Sequence, residues 1–158
     1  MEMEKDDSLL VATFILNGAL FGIDAGKVQE VVLIDRITPV HHAPAWVVGV
    51  RNLRGKIVTI IDLAAKLELG AVEQTAETRI LILKWTREPI GIMVDAVSDA
   101  VRFERSTLEA PPPNLHGVQS SDMKGVLHHQ GRLVALLNPD SLLHFDERAE
   151  AEAGAAHK

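Results

Sequence analysis

Two ungapped echoes constrain the fold of this chain more than any other feature. Gly22 to Val32, GIDAGKVQEVV, returns as Gly91 to Val101, GIMVDAVSDAV. Gly49 to Leu67, GVRNLRGKIVTIIDLAAKL, returns as Gly125 to Leu143, GVLHHQGRLVALLNPDSLL. The first echo keeps one Gly, one Ile and two Val positions, and sets Glu30 on Asp99. The second keeps Gly49, Val50, Gly55, Val58 and Leu67 as Gly125, Val126, Gly131, Val134 and Leu143. The offsets are 69 residues (22 to 91) and 76 residues (49 to 125), in the same order along the chain. Glycine spacing agrees as well as apolar rhythm, which composition alone does not require. One fold unit used twice is the economical reading.

Local signals give the content of that unit. Asn17-Gly18, between apolar runs, is a hairpin turn because both turn positions need positive φ. Strands are expected at Leu9 to Leu16, Ala19 to Ile23, Val28 to Ile34, Val47 to Leu53 and Lys56 to Ile61. Asp62 is placed to cap a short helix that Gly70 stops. A hairpin over Arg79 to Trp85 and Pro89 to Val94 follows, then a strand at Val97 to Phe103. Ala110 to Asn114, APPPN, reads as a stiff linker. Gly125 to His129 and Gly131 to Leu137 form a last hairpin, and Pro139 to Phe145 a short terminal helix. The fold class is therefore all-β: two SH3-like five-stranded β-barrels packed together with a hydrophobic seam, and a short terminal helix. Residues 1–8 are expected to be flexible and 146–158 a disordered tail. The folded domain spans 9–145, with approximate halves 9–75 and 76–145 and with exchange of strands between the halves allowed.

The strand Lys56 to Ile61 is apolar on both faces, since alternate residues point to opposite sides. Ile57 and Ile61 lie on one face with Thr59, and Val58 and Ile60 on the other. A small barrel has only one interior. The second apolar set needs a seam against the other barrel, and a minority near the barrel edges is left for partners.

Composition excludes several classes. The net charge is -6, which disfavours a phosphate-binding surface, and there are two Trp, four Phe and no Tyr to stack bases. No cysteine is present, so disulfides, thiolate catalysis and Cys-based zinc sites are out. There is no secretory leader in MEMEKDD and no run long enough to span a bilayer, so a cytoplasmic location without membrane insertion is expected. No phosphate-binding, serine-hydrolase or zinc-protease motif occurs. His41-His42 and His128-His129 are adjacent pairs, a poor chelate on a strand. No enzyme activity, cofactor or metal is expected. A small metal-binding protein or enzyme remains the alternative class, with a nucleic-acid-binding barrel behind it.

Where the two copies differ, the residue serves something beyond the fold. Arg54 at the first hairpin tip has Gln130 as its counterpart. Only the first copy combines an acid, Glu30, with a tip guanidinium. Pairing of Arg54 with Glu30 would fix the edge of a groove, a charge arrangement suited to partner choice.

FGIDAGKVQEVV at Phe21 to Val32, APAWVVGVRNLRGKIVTIIDL at Ala43 to Leu63 and IGIMVDAVSDAV at Ile90 to Val101 resemble the CheW-type chemotaxis coupling proteins. The likeness runs from about Leu9 to about Phe145. It implies a non-catalytic adaptor that couples the cytoplasmic tip of methyl-accepting chemoreceptors to the regulatory domain of a CheA-type histidine kinase. Such a protein is monomeric when free and is recruited to membrane-associated receptor arrays. By the same resemblance, receptor contacts fall on Val28, Glu30, Gly49, Arg54, Ile57, Val97 and Ala100. Kinase contacts are placed at Val40, His41, His42, Ala43 and Pro44. A surface-sensing or twitching pathway is an alternative setting for the same adaptor type.

Overall fold

The computed structural model describes residues 7–84 and 88–143. Most of the expected flexible N-terminus, the continuation of a strand to Trp85, the last residues of the terminal helix and the tail 146–158 lie outside the described residues.

Twelve strands form among the described residues: β1 (Ser8–Leu16), β2 (Ala19–Asp24), β3 (Val28–Leu33), β4 (Val47–Leu53), β5 (Lys56–Asp62), β6 (Arg79–Leu83), β7 (Ile90–Val94), β8 (Ala96–Glu104), β9 (Asn114–Leu115), β10 (Val118–Gln119), β11 (Met123–His129) and β12 (Arg132–Leu137). The one complete α-helix among them, α1 (Leu63–Lys66), is shorter than expected. Glu68 and Gly70 turn to positive φ, 61° and 102°, and end it. A terminal helix, α2, begins at residue 139 and continues to 143, the last described position. The stiff linker ends in a small hairpin that the sequence did not signal: β9 pairs with β10.

Two five-stranded sheets carry the fold. Sheet 1 has the order β11-β12-β2-β1-β8 and sheet 2 the order β3-β6-β7-β5-β4. Neither is drawn from one half of the chain. The β1–β2 hairpin leaves β3, β4 and β5 and joins β8, β11 and β12. The β6–β7 hairpin makes the reciprocal move. Both exchanges rest on a parallel pairing: Leu136 opposite Gly22 in sheet 1, and Ile60 opposite Gly91 in sheet 2. These two pairs superpose under the offsets of the echoes. The repeat therefore extends to register, and a one-residue slip would invert every apolar face.

The shared glycines answer to close approach. A Cβ on Gly22 would strike Val11, and one on Gly91 would strike Ile80 and Ile60, where opposing side chains fill each sheet's concave side. Gly49 and Gly125 lie beside bulges in β4 and β11. There β4 meets the segment after β3, and β11 the segment after β8, through one antiparallel bridge each, Thr38 with Val50 and Glu109 with Val126. A Cβ on Gly49 would overlap the Thr38 carbonyl oxygen, and one on Gly125 the Glu109 carbonyl oxygen. Each bridge curls its sheet toward a small barrel.

The two-faced strands bury both faces. Leu9, Val11, Leu20, Leu127, Val134 and Leu136 form the interior of sheet 1. The alternate residues of the same strands, Phe14, Phe21, Ile23, Ala135 and Leu137, join one cluster with Ile61, Leu81, Leu83 and Ile92 of sheet 2. These residues form the expected seam, and the same cluster continues into the barrel side of sheet 2 through Val58, Ile60, Ile80 and Ile82; each large side chain contributes about 1.5–3 kcal/mol on burial. Leu142 and Leu143 of α2 cover one end of it, around Ile23, Ile61, Leu83 and Ile92. Asp62 secures the crossing to the second copy. Its carboxylate accepts from Ala65 N at 3.0 Å and from Val72 N at 3.0 Å.

Gly49→Ala and Gly125→Ala are each expected to cost about 1–3 kcal/mol, because backbone rather than a mobile side chain must yield. Chemical denaturation of both variants checks this. Unchanged midpoints would remove the bridges from any role in closure.

Candidate functional site

Four two-residue turns among the described residues share one geometry. Asn17-Gly18, Arg54-Gly55, His116-Gly117 and Gln130-Gly131 have φ of 52° and 77°, 52° and 89°, 55° and 86°, and 51° and 76°. Positive φ at both positions is the turn that matches strand twist, and it favours Asn-Gly. Arg54 thus occupies a position where its side chain is conformationally disfavoured. Asn52 Oδ1 accepts from Gly55 N at 2.9 Å and steadies the turn.

Glu30 reaches Arg54 through a bulge. Val28 opposes Leu83 and Glu30 opposes Ile82, leaving Gln29 as the extra residue of β3. The equivalent irregularity in sheet 1 sets Ser98 and Asp99 against Thr13. The bulge re-aims the chain. Val28 stays on the seam side with Leu83, while Glu30 turns to the barrel side with Ile82. The Arg54 guanidinium donates to Glu30 Oε2 and the two form an ion pair. Their side chains are 66% and 26% exposed, so the pair lies at a surface. The Arg54 hydrogen bond holds the Glu30 carboxyl below the usual carboxylate range, aided by the Arg54 charge, a Gln29 hydrogen bond and the Arg51 charge, and opposed by partial burial.

The structure places the other expected receptor residues as follows. Val28 and Val97 are equivalent, half-buried, and both pack against the seam cluster. Val97 opposes Phe14 as Val28 opposes Leu83. Ala100 is exposed on β8, three residues on. Ile57 is 57% exposed on the seam-side face of β5. Gly49 is buried beneath Thr38 and serves closure. Four of these positions therefore line seam margins, and Glu30, which pairs with Arg54, faces the other side of β3. Val40, His41 and His42 are exposed, and Ala43 and Pro44 half-buried, in the irregular loop between the Thr38 bridge and β4.

Sequence reasoning missed three residues. Val31 and Leu33 of β3 are 46% and 61% exposed. Val31 opposes Leu81, so it extends a row of seam residues past the cover of sheet 1. The counterparts at the same offset are Ala100 and Arg102, and that replacement of apolar by small and charged residues was the available signal. Arg51 is the third: its Nη1 donates to the Leu33 carbonyl at 2.8 Å.

Among the described residues the histidines do not gather into one group. His128 Nε2 lies 3.1 Å from Glu109 Oε2, and His129 packs edge-on to Phe103. Among the described residues no group of three or more metal-capable side chains forms. A cavity lies elsewhere, between α1, the β9–β10 hairpin and α2, beside Trp46, with Lys66 Nζ 3.8 Å from the Trp46 ring centre. Among the described residues no helix is long and apolar enough to cross a membrane.

With folded pKa below unfolded, the Glu30–Arg54 contribution is present above the unfolded value and is lost as pH falls through the folded value. Arg54→Asn should raise the carboxyl titration of Glu30, read by carbon-detected NMR. The same variant should raise the thermal midpoint at neutral pH by about 2 °C, because Asn suits the left-handed position better than Arg. A lower midpoint would contradict the turn argument.

The sequence model of the CheW-like domain family matches residues 10–147. A chemotaxis protein CheW of Rhizobium meliloti is 34% identical over 131 residues, 83% of this chain and 84% of that protein. Protein PilI of Pseudomonas aeruginosa is 28% identical over 117 residues, 74% of this chain and 66% of that protein. The crystal structure of the scaffolding protein TtCheW from Thermoanaerobacter tengcongensis superposes with a TM-score of 0.78 at 26% identity. It covers 87% of this chain and 89% of that one.

Proposed function

Since the chain belongs to the CheW-like domain family, we propose that it is a non-catalytic adaptor coupling methyl-accepting chemoreceptors to a CheA-type histidine kinase. The observation that carries this reading is asymmetry on a symmetric frame. Two sheets share strand order, register and turn geometry, yet the Arg54–Glu30 pair meets Gln130 and Asp99 at the equivalent positions of sheet 1, and the exposed Val31 and Leu33 meet Ala100 and Arg102. Features that the fold does not need twice serve recognition. An exposed ion pair adds little to stability but much to partner choice and encounter rate.

The receptor surface runs along the seam margin: Val28, Glu30, Arg54, Ile57, Val97 and Ala100, extended by Val31. The kinase regulatory domain takes the Val40 to Pro44 loop. The free protein is monomeric and cytoplasmic, and it joins membrane-associated arrays through these contacts. Signal passes by contact geometry, and the phosphoryl chemistry stays with the kinase. The likeness to PilI supports a second setting, in which the same adaptor type serves a surface-sensing or twitching pathway.

Co-sedimentation with a soluble receptor-tip fragment and a kinase regulatory domain tests the reading. Binding is expected at or below tens of micromolar, about -6 to -8 kcal/mol. Arg54→Ala and Glu30→Ala should weaken receptor binding about tenfold with the fold intact, and leave kinase binding within about twofold. Failure to bind either partner at that concentration would sink the proposal.

A further inference from the structure

Resting on the adaptor reading, we propose that Arg51 is a positioning residue: its guanidinium pins the end of β3 to β4 and so holds Glu30 in register with Arg54. Its position in the repeat motivates this. Arg51 opposes Val58 as Leu127 opposes Val134. Leu127 is wholly buried in the interior of sheet 1, whereas Arg51 is half-buried and sends its charge to the Leu33 carbonyl, 2.8 Å away. A cation has replaced an interior leucine at the barrel mouth of one sheet only.

What that cation does follows from how β3 and β4 are joined. They are the outer strands of sheet 2 and are not neighbours in its ladder. The backbone join is the bridge of Val50 in β4 with Thr38, in the segment that follows β3, with both N to O distances 2.8 Å. Beyond Val50, toward the hairpin tip, the ties come from side chains: Arg51 to the Leu33 carbonyl, then Arg54 to Glu30. Each step uses a longer reach than the last. Arg51 is the middle tie. Without it, the bulged and solvent-facing stretch of β3 is anchored to β4 only at its far end and through the ion pair itself. The Arg51 charge also acts on the Glu30 carboxylate in the same sense as Arg54. A guanidinium suits the task because it stays charged and can donate to a carbonyl while its stem covers apolar surface.

The test uses full-length Arg51→Leu, which installs the residue of the other sheet, with Arg51→Lys and Arg51→Met beside it and Arg54→Ala as reference. Three quantities are measured: the thermal midpoint, the titration of the Glu30 carboxyl by carbon-detected NMR, and the affinity for a soluble receptor-tip fragment. Arg51→Leu and Arg51→Met are expected to fold, to raise the Glu30 titration midpoint, and to weaken receptor binding about threefold to tenfold. Arg51→Lys should restore the titration and only part of the affinity, since it keeps the charge but not the fork. A Glu30 titration unchanged in whichever of the Leu and Met variants folds overturns the proposal, as does receptor binding unchanged by them while Arg54→Ala weakens it. If Arg54→Ala leaves receptor binding intact, the receptor reading fails instead, and the Glu30 titration still decides the role of Arg51.

Discussion

Two parallel strand pairings, β2 with β12 and β5 with β7, hold this molecule together in the most literal sense. Each takes a hairpin from one copy of the repeat and completes the sheet of the other. Neither copy can form its five strands without its neighbour, so the seam is not a contact between two finished barrels. It is the shared back of two sheets that were assembled from each other's parts. Parallel pairing needs a long crossover; the chain from α1 through β6 supplies it for β5 and β7, and the chain from β3 through β11 supplies it for β2 and β12. The glycines at 22 and 91 permit the pairing, since any side chain there would strike a residue across the strand.

On this frame the two sheets part company in a small region. Sheet 1 closes with a backbone bridge and a buried leucine. Sheet 2 closes with the same bridge and then with charge: Arg51 to a carbonyl and Arg54 to Glu30. The ion pair is half in solvent and stands on a disfavoured turn conformation and a bulge. A side chain held at such a place is explained by what it meets outside. The exposed Val31 and Leu33 fit the same account, because they continue a buried row into open solvent.

Much of this was legible in the chain. The turns at Asn17-Gly18, Arg54-Gly55 and Gln130-Gly131 were visible because their geometry depends on two residues. The pairing of Arg54 with Glu30 came from comparing the copies, which cancels whatever the fold requires of both. The β9–β10 hairpin and the short extent of α1 were not legible. A two-residue strand has no period to detect, and α1 ends where the chain must turn to begin its crossing. Arg51 was overlooked because it stands in strand rhythm, and a charged residue in that rhythm looks solvated until its carbonyl partner is located.

The sequence by itself determined the strands, the turns, the duplication and the chemistry of the asymmetric pair. These depend on short-range sterics and on residue identity, which neighbouring positions record. Only the tertiary structure decided which hairpin completes which sheet, which apolar rows are covered, and that Gly49 is a closure residue lying beneath Thr38. Those outcomes depend on approaches between residues 12 (Thr38 and Val50), 31 (Ile60 and Gly91) and 114 (Gly22 and Leu136) positions apart along the chain. Excluded volume settles them only once the whole chain is in place.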